Sequence, residues 1–508
     1  MNKLLKIFQV VIVIFSGMFI LEFLYITISR IGYPYELEWM EGGTVVQVIR
    51  ILSGDRLYVK PTIDFIPYIY TPLYFYFSAG ISKLLNHVSF FEPRLVSLIS
   101  SLGIFLTIFF IIYRETRSKI WGFISTCLYA GTFAISGRWF DIARVDNLCL
   151  LLLLLGLYVI RIDNSRLYIL GGLFFSLAFF TKQTALFVIV PVLSASLLYQ
   201  LWLNHTSKIK LSTGLSKLAV IIISTSLLIG LGIYLLDVIH EGWFSYYVFK
   251  LSGKHEIFSW QILSETKNFL RDDLLDELSI TVTVIAIFLL AGWSKAFFQK
   301  YFLYILFTCA LLGTSWIGRV NPGSYPNVMI FAYSGIAIMF GIACAAFLDS
   351  NRVVLSQNLK TSLLYIICFM QFFQLMYFPN PHIPTSQDVA AGEKLIAYLK
   401  DIKGEVYMPF HSYYPLMAGK KTSANWMALN EILGGLGDGD PVVAKKLRID
   451  LENAITEKDF DVLMLDVDFL QEKINLSYME TQSFFSNNDV FFPVVGWQIR
   501  PNRVFLKK

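Results

Sequence analysis

The sequence predicts a polytopic α-helical membrane protein with about eleven transmembrane helices, juxtamembrane helices and a C-terminal soluble α/β domain. Its 508 residues are 56% hydrophobic and include 44 Phe and 27 Tyr. Long apolar runs recur up to about residue 378, and each is separated from the next by a short polar loop. Beyond that point short β-type and amphipathic helical patterns replace them. This combination is typical of a multi-pass membrane protein that carries one small additional domain.

The first apolar run, from Ile7 to about Ile28, contains Glu22 as its one charged residue. It is longer than the core of a signal peptide and lacks an obvious small-residue cleavage site, so we expect a retained helix with a cytoplasmic N-terminus. Further transmembrane helices are predicted at roughly 94–113, 119–137, 147–160, 167–181, 184–203, 216–239, 279–294, 301–317, 326–348 and 360–378.

The segment 70–85 decides the orientation of everything after it. It is apolar and aromatic but short, and it begins Tyr70-Thr71-Pro72. If it lies on the membrane surface, one consistent set of basic loops faces the cytoplasm, at 114–119, 161–166, 208–217, 295–300 and 352–360. We therefore predict a juxtamembrane helix there. The first loop (30–93), the loop 240–278 and the C-terminal region then lie outside the cytoplasm.

The chain therefore divides into a transmembrane domain, 1–378, and an extracytoplasmic α/β domain, 379–508. In the second domain, 405–408 and 461–465 have the pattern of short buried strands, and 392–402 and 441–456 that of amphipathic helices. The five cysteines lie in or beside apolar runs, which favours buried apolar side chains over a disulfide framework. The net charge of +5 gives no indication of nucleic-acid binding.

Three carboxylates follow the first helix closely: Glu36, Glu38 and Glu41. Charges beside lipid are costly, and clusters of them usually serve chemistry, ion binding or a substrate headgroup. Glu38 and Glu41 are three residues apart, so on a helix they would share a face. Solvated carboxylates on the wet side of an interfacial helix are the alternative interpretation.

Four further charged residues interrupt apolar runs on the same predicted face: Arg144, Asp146, Lys182 and Arg319. Arg144 and Asp146 could instead form a structural pair at a helix end, Lys182 could extend to headgroups, and Arg319 could pair with lipid. The three cations among them, Arg144, Lys182 and Arg319, suit the binding of a lipid-linked phosphate. A carboxylate suits the role of a general base that takes the proton of an acceptor hydroxyl. Glu41 and Asp146 could alternatively hold a divalent cation such as Mg²⁺ or Mn²⁺ through oxygen ligands.

The order of these motifs resembles the GT-C superfamily of integral-membrane glycosyltransferases over roughly residues 1–350. It is most similar to the branches of the aminoarabinose transferases and protein O-mannosyltransferases. The residues that carry the resemblance are Glu36, Glu38 and Glu41, Tyr70-Thr71-Pro72-Leu73-Tyr74, Arg94-Leu95, Arg144-x-Asp146 and Lys182-Gln183.

This resemblance implies transfer of a sugar, with inversion, from a polyprenyl-phosphate donor to a lipid, glycan or protein acceptor outside the cytoplasmic membrane. It implies donor-phosphate binding by Lys182, Arg144 and Arg319, and a positioning or metal-binding role for Asp146. The first-loop motif of the superfamily commonly contains Asp-Glu, whereas this chain has glutamate throughout. The base is therefore Glu41, which matches the second acid by position, or Glu38.

Two other functions stay open at this point. A transporter or flippase of lipid-linked glycans would place charges along a path through the membrane and usually contains helix repeats, which the sequence does not display. A membrane-anchored binding protein would work through the C-terminal region alone. That region lacks a clustered acid/base set, which makes it a poor candidate for an enzyme.

Overall fold

The computed structural model describes residues 3–162, 164, 167–207, 213–292, 294–350, 355–435 and 440–508. Parts of the basic loops that orient the chain, at 163, 165–166, 208–212 and 352–354, lie outside these described residues. Within them the chain is mostly helical up to Gln374, and a mixed region of helices and strands follows.

Fifteen helices form the first part of the described chain. They are α1 (Lys3–Arg30), α2 (Glu41–Leu52), α3 (Leu73–Leu85), α4 (Phe91–Thr116), α5 (Lys119–Gly131), α6 (Asp146–Ile160), α7 (Tyr168–Thr181), α8 (Leu186–Ser207), α9 (Thr213–Ile239), α10 (Trp243–Ser245), α11 (Ser259–Asn268), α12 (Glu277–Gly292), α13 (Lys295–Val320), α14 (Met329–Asp349) and α15 (Gln357–Gln374). Two π-helical segments, Tyr246–Leu251 and Phe269–Asp276, flank α11.

A helix lies on each of the eleven predicted membrane segments. Among the described residues, six helices are long and apolar enough to cross a membrane, and they correspond to α1, α4, α8, α9, α13 and α14. The helices α6 and α7 are apolar but shorter. The polytopic helical class is therefore confirmed, while the count of eleven crossings stays a prediction.

The helix α3 does not reverse the direction of the chain, as the sequence predicts for a juxtamembrane helix. Arg94, near the start of α4, donates hydrogen bonds to the carbonyls of Ile31 and Tyr33, directly after α1. The end of α1 and the start of α4 therefore meet at one end of the helical bundle. A membrane crossing by α3 would have placed them at opposite ends.

The helix α14 forms the centre of the bundle. Its residues from Met329 to Ala345 are all buried, and it packs against α4, α5, α12 and α13. A helix that is apolar on every side is stable only when it is surrounded in this way. The remaining helices are arranged around it, and the loops at one end of the bundle form the candidate site.

The described residues of the C-terminal region form five α-helices and a four-stranded mixed sheet. The elements are α16 (Ser386–Asp401), β1 (Val406–Tyr407), α17 (Tyr413–Met417), α18 (Trp426–Leu433), α19 (Pro441–Thr456), β2 (Val462–Leu465), α20 (Gln471–Ser477), β3 (Tyr478–Glu480) and β4 (Arg503–Lys507). The strand order is β1-β2-β4-β3, in which β1 and β2 are parallel and β4 is antiparallel to both of its neighbours.

Two strands and two helices of this region lie where the sequence patterns predict them. Local capping explains the helix starts: Thr385 and Asp388 form a capping box before α16, and Asp440 caps α19 ahead of Pro441. The sequence patterns do not predict the strands β3 and β4. The strand β3, Tyr478–Glu480, is too short to display an alternating pattern. The domain boundary at 378/379 and the side of the membrane stay predictions.

Candidate active site

The acidic segment after α1 is an irregular turn, and only its last glutamate is helical. The helix α2 begins at Glu41, and Glu38 precedes it, with the Glu41 amide donating to the Glu38 carbonyl at 2.9 Å. The premise that Glu38 and Glu41 share a helical face is therefore wrong. The two carboxylates face different partners, and this separates their chemistry.

Glu41 is completely paired. Arg94 donates to both of its carboxylate oxygens, at 3.0 and 2.6 Å. The amides of Leu37 and Ala143 add one hydrogen bond each, at 2.8 and 2.7 Å. Both side chains of the Glu41–Arg94 pair are fully buried. This carboxylate joins the first loop, α4 and the loop before α6, and no oxygen remains for a substrate proton.

Glu38 is equally buried but poorly paired. One carboxylate oxygen, Oε2, accepts a hydrogen bond from the Met40 amide at 3.2 Å and lies 3.7 Å from the guanidinium of Arg144. The other, Oε1, has no hydrogen-bond partner among the described residues. Burial raises the pKa of Glu38 to about 8, against the opposing effect of Arg144. A carboxyl group with this pKa is ionised above about pH 8, where it can accept a proton.

Two glycines allow close packing behind this segment. A Cβ atom on Gly42 would stand 2.2 Å from the Glu36 carboxylate, and one on Gly43 would stand 1.9 Å from the Tyr68 hydroxyl. Tyr68 in turn donates to the Met40 carbonyl at 2.8 Å. The pair Gly42-Gly43 is therefore required for the start of α2 to fit beneath the acidic segment.

A group of cations lies beside Glu38. Arg144 donates to the Tyr70 hydroxyl at 3.0 Å, and Lys182 forms an ion pair with Asp146 at 2.6 Å. The Tyr70 ring lies close to both cations, with its centroid 5.5 Å from the Arg144 guanidinium carbon and 6.0 Å from Lys182 Nζ. The structure therefore brings Glu38, Arg144, Asp146 and Lys182 together around Tyr70. We call these five residues the Tyr70 cluster.

Local structure explains how the cations reach this position. The helix α7 ends at Thr181, and Lys182 is extended, with φ −153° and ψ 120°. The Gln183 side chain donates to the Ile69 carbonyl at 2.8 Å, and Thr71 donates to the Phe179 carbonyl at 2.7 Å. The segment around Tyr70 is thereby fastened to the end of α7.

Arg319 lies apart from the Tyr70 cluster. Its guanidinium is 2.9 Å from Asp273 and 3.5 Å from Glu265, and these are the acidic partners that neutralise it. Among the contacts of the described residues, none joins Arg319 to the cluster. Its expected role in binding the donor phosphate therefore has no geometric support, because its charge is already neutralised by protein carboxylates.

Of the two residues proposed as metal ligands, Glu41 does not fit a divalent cation, because Arg94 and backbone amides occupy both of its oxygens. Asp146 Oδ1 is paired with Lys182, and Asp146 Oδ2 has no hydrogen-bond partner among the described residues. A divalent cation at Asp146 would lie beside the Lys182 ammonium, and a metal role for Asp146 stays a prediction. The described part of the chain contains no group of three or more His, Cys, Asp or Glu side chains arranged to hold a metal.

The sequence assigns no role to three residues of the site. Arg94 marks the start of a predicted helix, although an arginine at the edge of an apolar run signals a buried partner. Tyr70 belongs to an aromatic–proline motif without a predicted role. His411, whose ring contacts Glu36, gave no signal, because this contact spans 375 residues.

Comparison with known proteins supports the fold. Residues 69–229 match the model of the family described as dolichyl-phosphate-mannose-protein mannosyltransferase. No curated protein sequence matches the chain. ArnT from Cupriavidus metallidurans bound to undecaprenyl phosphate is a similar solved structure, with a TM-score of 0.59, 11% identity and 97% of each chain covered.

Two structures of the oligosaccharyltransferase of Archaeoglobus fulgidus are also similar, both at 10% identity. The one tethered to an acceptor peptide has a TM-score of 0.51 and covers 99% of this chain and 74% of its own. The one in complex with Zn and sulfate has a TM-score of 0.53 and covers 90% and 68%. At these identities the likeness shows the fold, which is that of the GT-C glycosyltransferases.

Proposed function

Because the chain has the GT-C glycosyltransferase fold, we propose that it transfers a sugar from a polyprenyl-phosphate donor to an acceptor hydroxyl or amide. A structural neighbour holds undecaprenyl phosphate and another an acceptor peptide, which supports this donor and a peptide or glycan acceptor. The observation that carries the proposal is the Tyr70 cluster, in which an under-paired carboxylate lies next to two cations.

Arg144 and Lys182 are the donor-phosphate ligands in this proposal. Both lie within 6.0 Å of the Tyr70 ring, and their side chains are 8% and 13% exposed, whereas those of Glu38 and Asp146 are fully buried. A guanidinium and an ammonium together suit a phosphate oxygen pair and its growing charge as the sugar departs. Asp146 holds Lys182 in place and is a positioning residue.

Glu38 is the base. In one step its free oxygen takes the proton of the acceptor, the acceptor atom forms a bond to the anomeric carbon, and the bond from that carbon to phosphate oxygen breaks. Polyprenyl phosphate leaves with the electron pair, held by Arg144 and Lys182. A single displacement of this kind inverts the anomeric configuration. Glu41 supports the loop instead, since its oxygens are already occupied.

The acceptor needs a route to Glu38, which is fully buried. The segment around Gly496 covers it: a Cβ at Gly496 would lie 3.1 Å from Glu38 Cγ. Trp497 packs edge-to-face on Trp39 beside it, with ring centroids 5.7 Å apart. In this proposal the acceptor enters when this segment of the C-terminal region moves away.

The test supplies radiolabelled polyprenyl-phosphate sugars to membranes that contain the protein, membranes without it and membranes with Glu38→Gln. We expect a labelled product that is absent without the protein and reduced by about 10²–10⁴-fold in the variant, the usual contribution of a general base. Movement of label across vesicles without a transfer product would contradict the proposal and favour the flippase.

A further inference from the structure

A buried group of three charged side chains joins the acidic segment to the C-terminal region. Glu36 Oε2 is hydrogen-bonded to Nδ1 of His411, and His411 Nε2 is 2.7 Å from Asp466 Oδ2. The three side chains are at most 2% exposed. None of them is used by the chemistry proposed above.

The contacts define the charge on the ring. A neutral imidazole has one N–H, whereas each nitrogen of His411 faces a carboxylate oxygen, so an imidazolium satisfies both. Burial opposes this charge, but Asp466 and Glu36 outweigh it and raise the pKa of His411 to about 10. Burial also raises the pKa of Glu36 to about 7, against the effect of His411.

This arrangement is a clamp and does not fit a metal site. Glu36 and Asp466 lie at different ring nitrogens, on opposite edges of the imidazole, so the three groups cannot converge on one cation. The ring is further fixed by stacking on Tyr414, with centroids 5.2 Å apart and an 8° interplanar angle. The Glu36 amide donates to the Tyr414 hydroxyl at 3.2 Å.

The clamp and the Glu41–Arg94 pair contact the same short segment. Leu37 follows Glu36 directly, and its amide donates to Glu41, which belongs to the helical bundle. Its carbonyl accepts from the Val495 amide of the C-terminal region at 2.9 Å. Glu38 is the next residue. Its own contacts are weak, so its position depends on the anchors before and after it.

We propose that His411, as an imidazolium between Glu36 and Asp466, is a positioning residue that holds Glu38 in its reactive place. The C-terminal region thereby supplies part of the catalytic apparatus through His411, Asp466 and Val495. The inference rests on the proposed function for its effect on rate. Its effect on the structure of the segment does not depend on any activity.

The first test is hydrogen–deuterium exchange of the purified full chain, followed in peptides that cover residues 36–41. His411→Gln keeps one hydrogen-bond donor but removes the charge, and we expect exchange there to rise at least about tenfold. His87→Gln is the matched control, because His87 pairs with Glu92 at 2.7 Å while its side chain is 62% exposed. Unchanged exchange in the His411 variant would overturn the clamp.

The second test separates positioning from general damage. Per folded molecule, His411→Gln should lower kcat by about 10- to 100-fold, as expected for a small misplacement of a reacting group, with donor KM within about twofold. The double variant of Glu36→Gln and His411→Gln should lose no more kcat than either single variant, since both substitutions break the same Glu36–His411 contact. A rise in KM at constant kcat, or additive losses, would overturn the positioning role.

A third variant guards against failure to fold. Asp466→Asn keeps the Glu36–His411 contact and should move exchange and kcat in the same direction by a smaller factor. No change in either quantity would overturn the clamp. If the wild type transfers no sugar while exchange rises as predicted, the proposed function and the positioning role both fail, but the clamp stands.

Discussion

Glu41 and Glu38 are three residues apart, carry the same side chain and are both fully buried, yet their surroundings differ completely. Glu41 accepts four hydrogen bonds, two of them from Arg94. Glu38 accepts one from the Met40 amide and lies 3.7 Å from Arg144, and its other oxygen has no partner in the described part of the chain. The first arrangement stabilises the fold, and the second leaves capacity for a proton.

The comparison shows that burial alone does not identify a catalytic carboxylate. A buried charge that is fully paired is strongly constrained, since removing one partner leaves an uncompensated charge. A buried charge that is under-paired is destabilising to the fold, and such groups persist mainly where chemistry uses them. The number of hydrogen-bond partners therefore separates Glu41 from Glu38 better than position in the sequence motif.

The largest effect on stability should come from breaking the fully hydrogen-bonded Glu41–Arg94 pair. Arg94→Met leaves Glu41 charged and buried, so we expect the free energy of unfolding to fall by about 3–5 kcal/mol. Arg503→Met is the matched control. Arg503 also donates two hydrogen bonds to a glutamate, Glu480, but that pair is exposed and should contribute less than about 1 kcal/mol. Thermal unfolding in detergent measures both; equal losses would show that burial of the pair is unimportant.

Substitutions in the Tyr70 cluster, where Glu38 is under-paired, should lower the affinity for the donor lipid. Lys182→Gln should weaken binding of undecaprenyl phosphate by about 10- to 100-fold, the value of a charge-assisted hydrogen bond. It should also lower thermal stability, because the buried Asp146 loses its cation. Lys250→Gln is the control, since Lys250 forms a comparable pair with Asp440 at 2.9 Å on an exposed surface. Equal affinity of the wild type and the Lys182 variant would remove Lys182 from the donor site.

The raised pKa of Glu38 predicts a pH dependence with a definite sign. Below a pKa of about 8 the base holds a proton, so kcat/KM should rise by about tenfold per pH unit and level off above it. Between about pH 4.5 and 8 the Glu38 carboxyl keeps this proton in the folded chain and has lost it in the unfolded chain. Unfolding free energy should therefore fall with rising pH between about 4.5 and 8.

Glu38→Gln removes that contribution, so the wild-type-minus-variant difference in unfolding free energy isolates it from other titrating groups. A difference that stays constant across this pH range would place the pKa of Glu38 near its ordinary value. Glu38 would then resemble a solvated carboxylate, and the contrast with Glu41 would lose its electrostatic basis.

The smallest effect is expected at Arg319. Its guanidinium is paired with Asp273 and Glu265 rather than with the Tyr70 cluster. Arg319→Gln should therefore change donor KM by less than about twofold, and partly exposed pairs of this kind contribute at most about 1 kcal/mol to stability. Steady-state kinetics at varied donor concentration provides the measurement. A loss similar to that of Lys182→Gln would return Arg319 to the donor site.

The sequence predicts the helical membrane class, the absence of a chain reversal at α3 and the grouping of Arg144, Asp146 and Lys182. These follow from local hydropathy and from charges at the ends of apolar runs. The choice between Glu38 and Glu41 does not follow, because it depends on which partner reaches each carboxylate. Arg94 is 53 residues from Glu41, and His411 is 375 residues from Glu36. Contacts over such distances have no linear signature.

Turnover of Glu38→Gln and Glu41→Gln, each normalised to folded protein, tests the central claim most directly. We predict a loss of about 10²–10⁴-fold for Glu38→Gln with little loss of stability. Glu41→Gln should be clearly less stable, because Arg94 loses its charged partner, yet its folded fraction should retain more than about a tenth of wild-type turnover. A folded Glu41 variant that is inactive beside an active Glu38 variant would contradict the account.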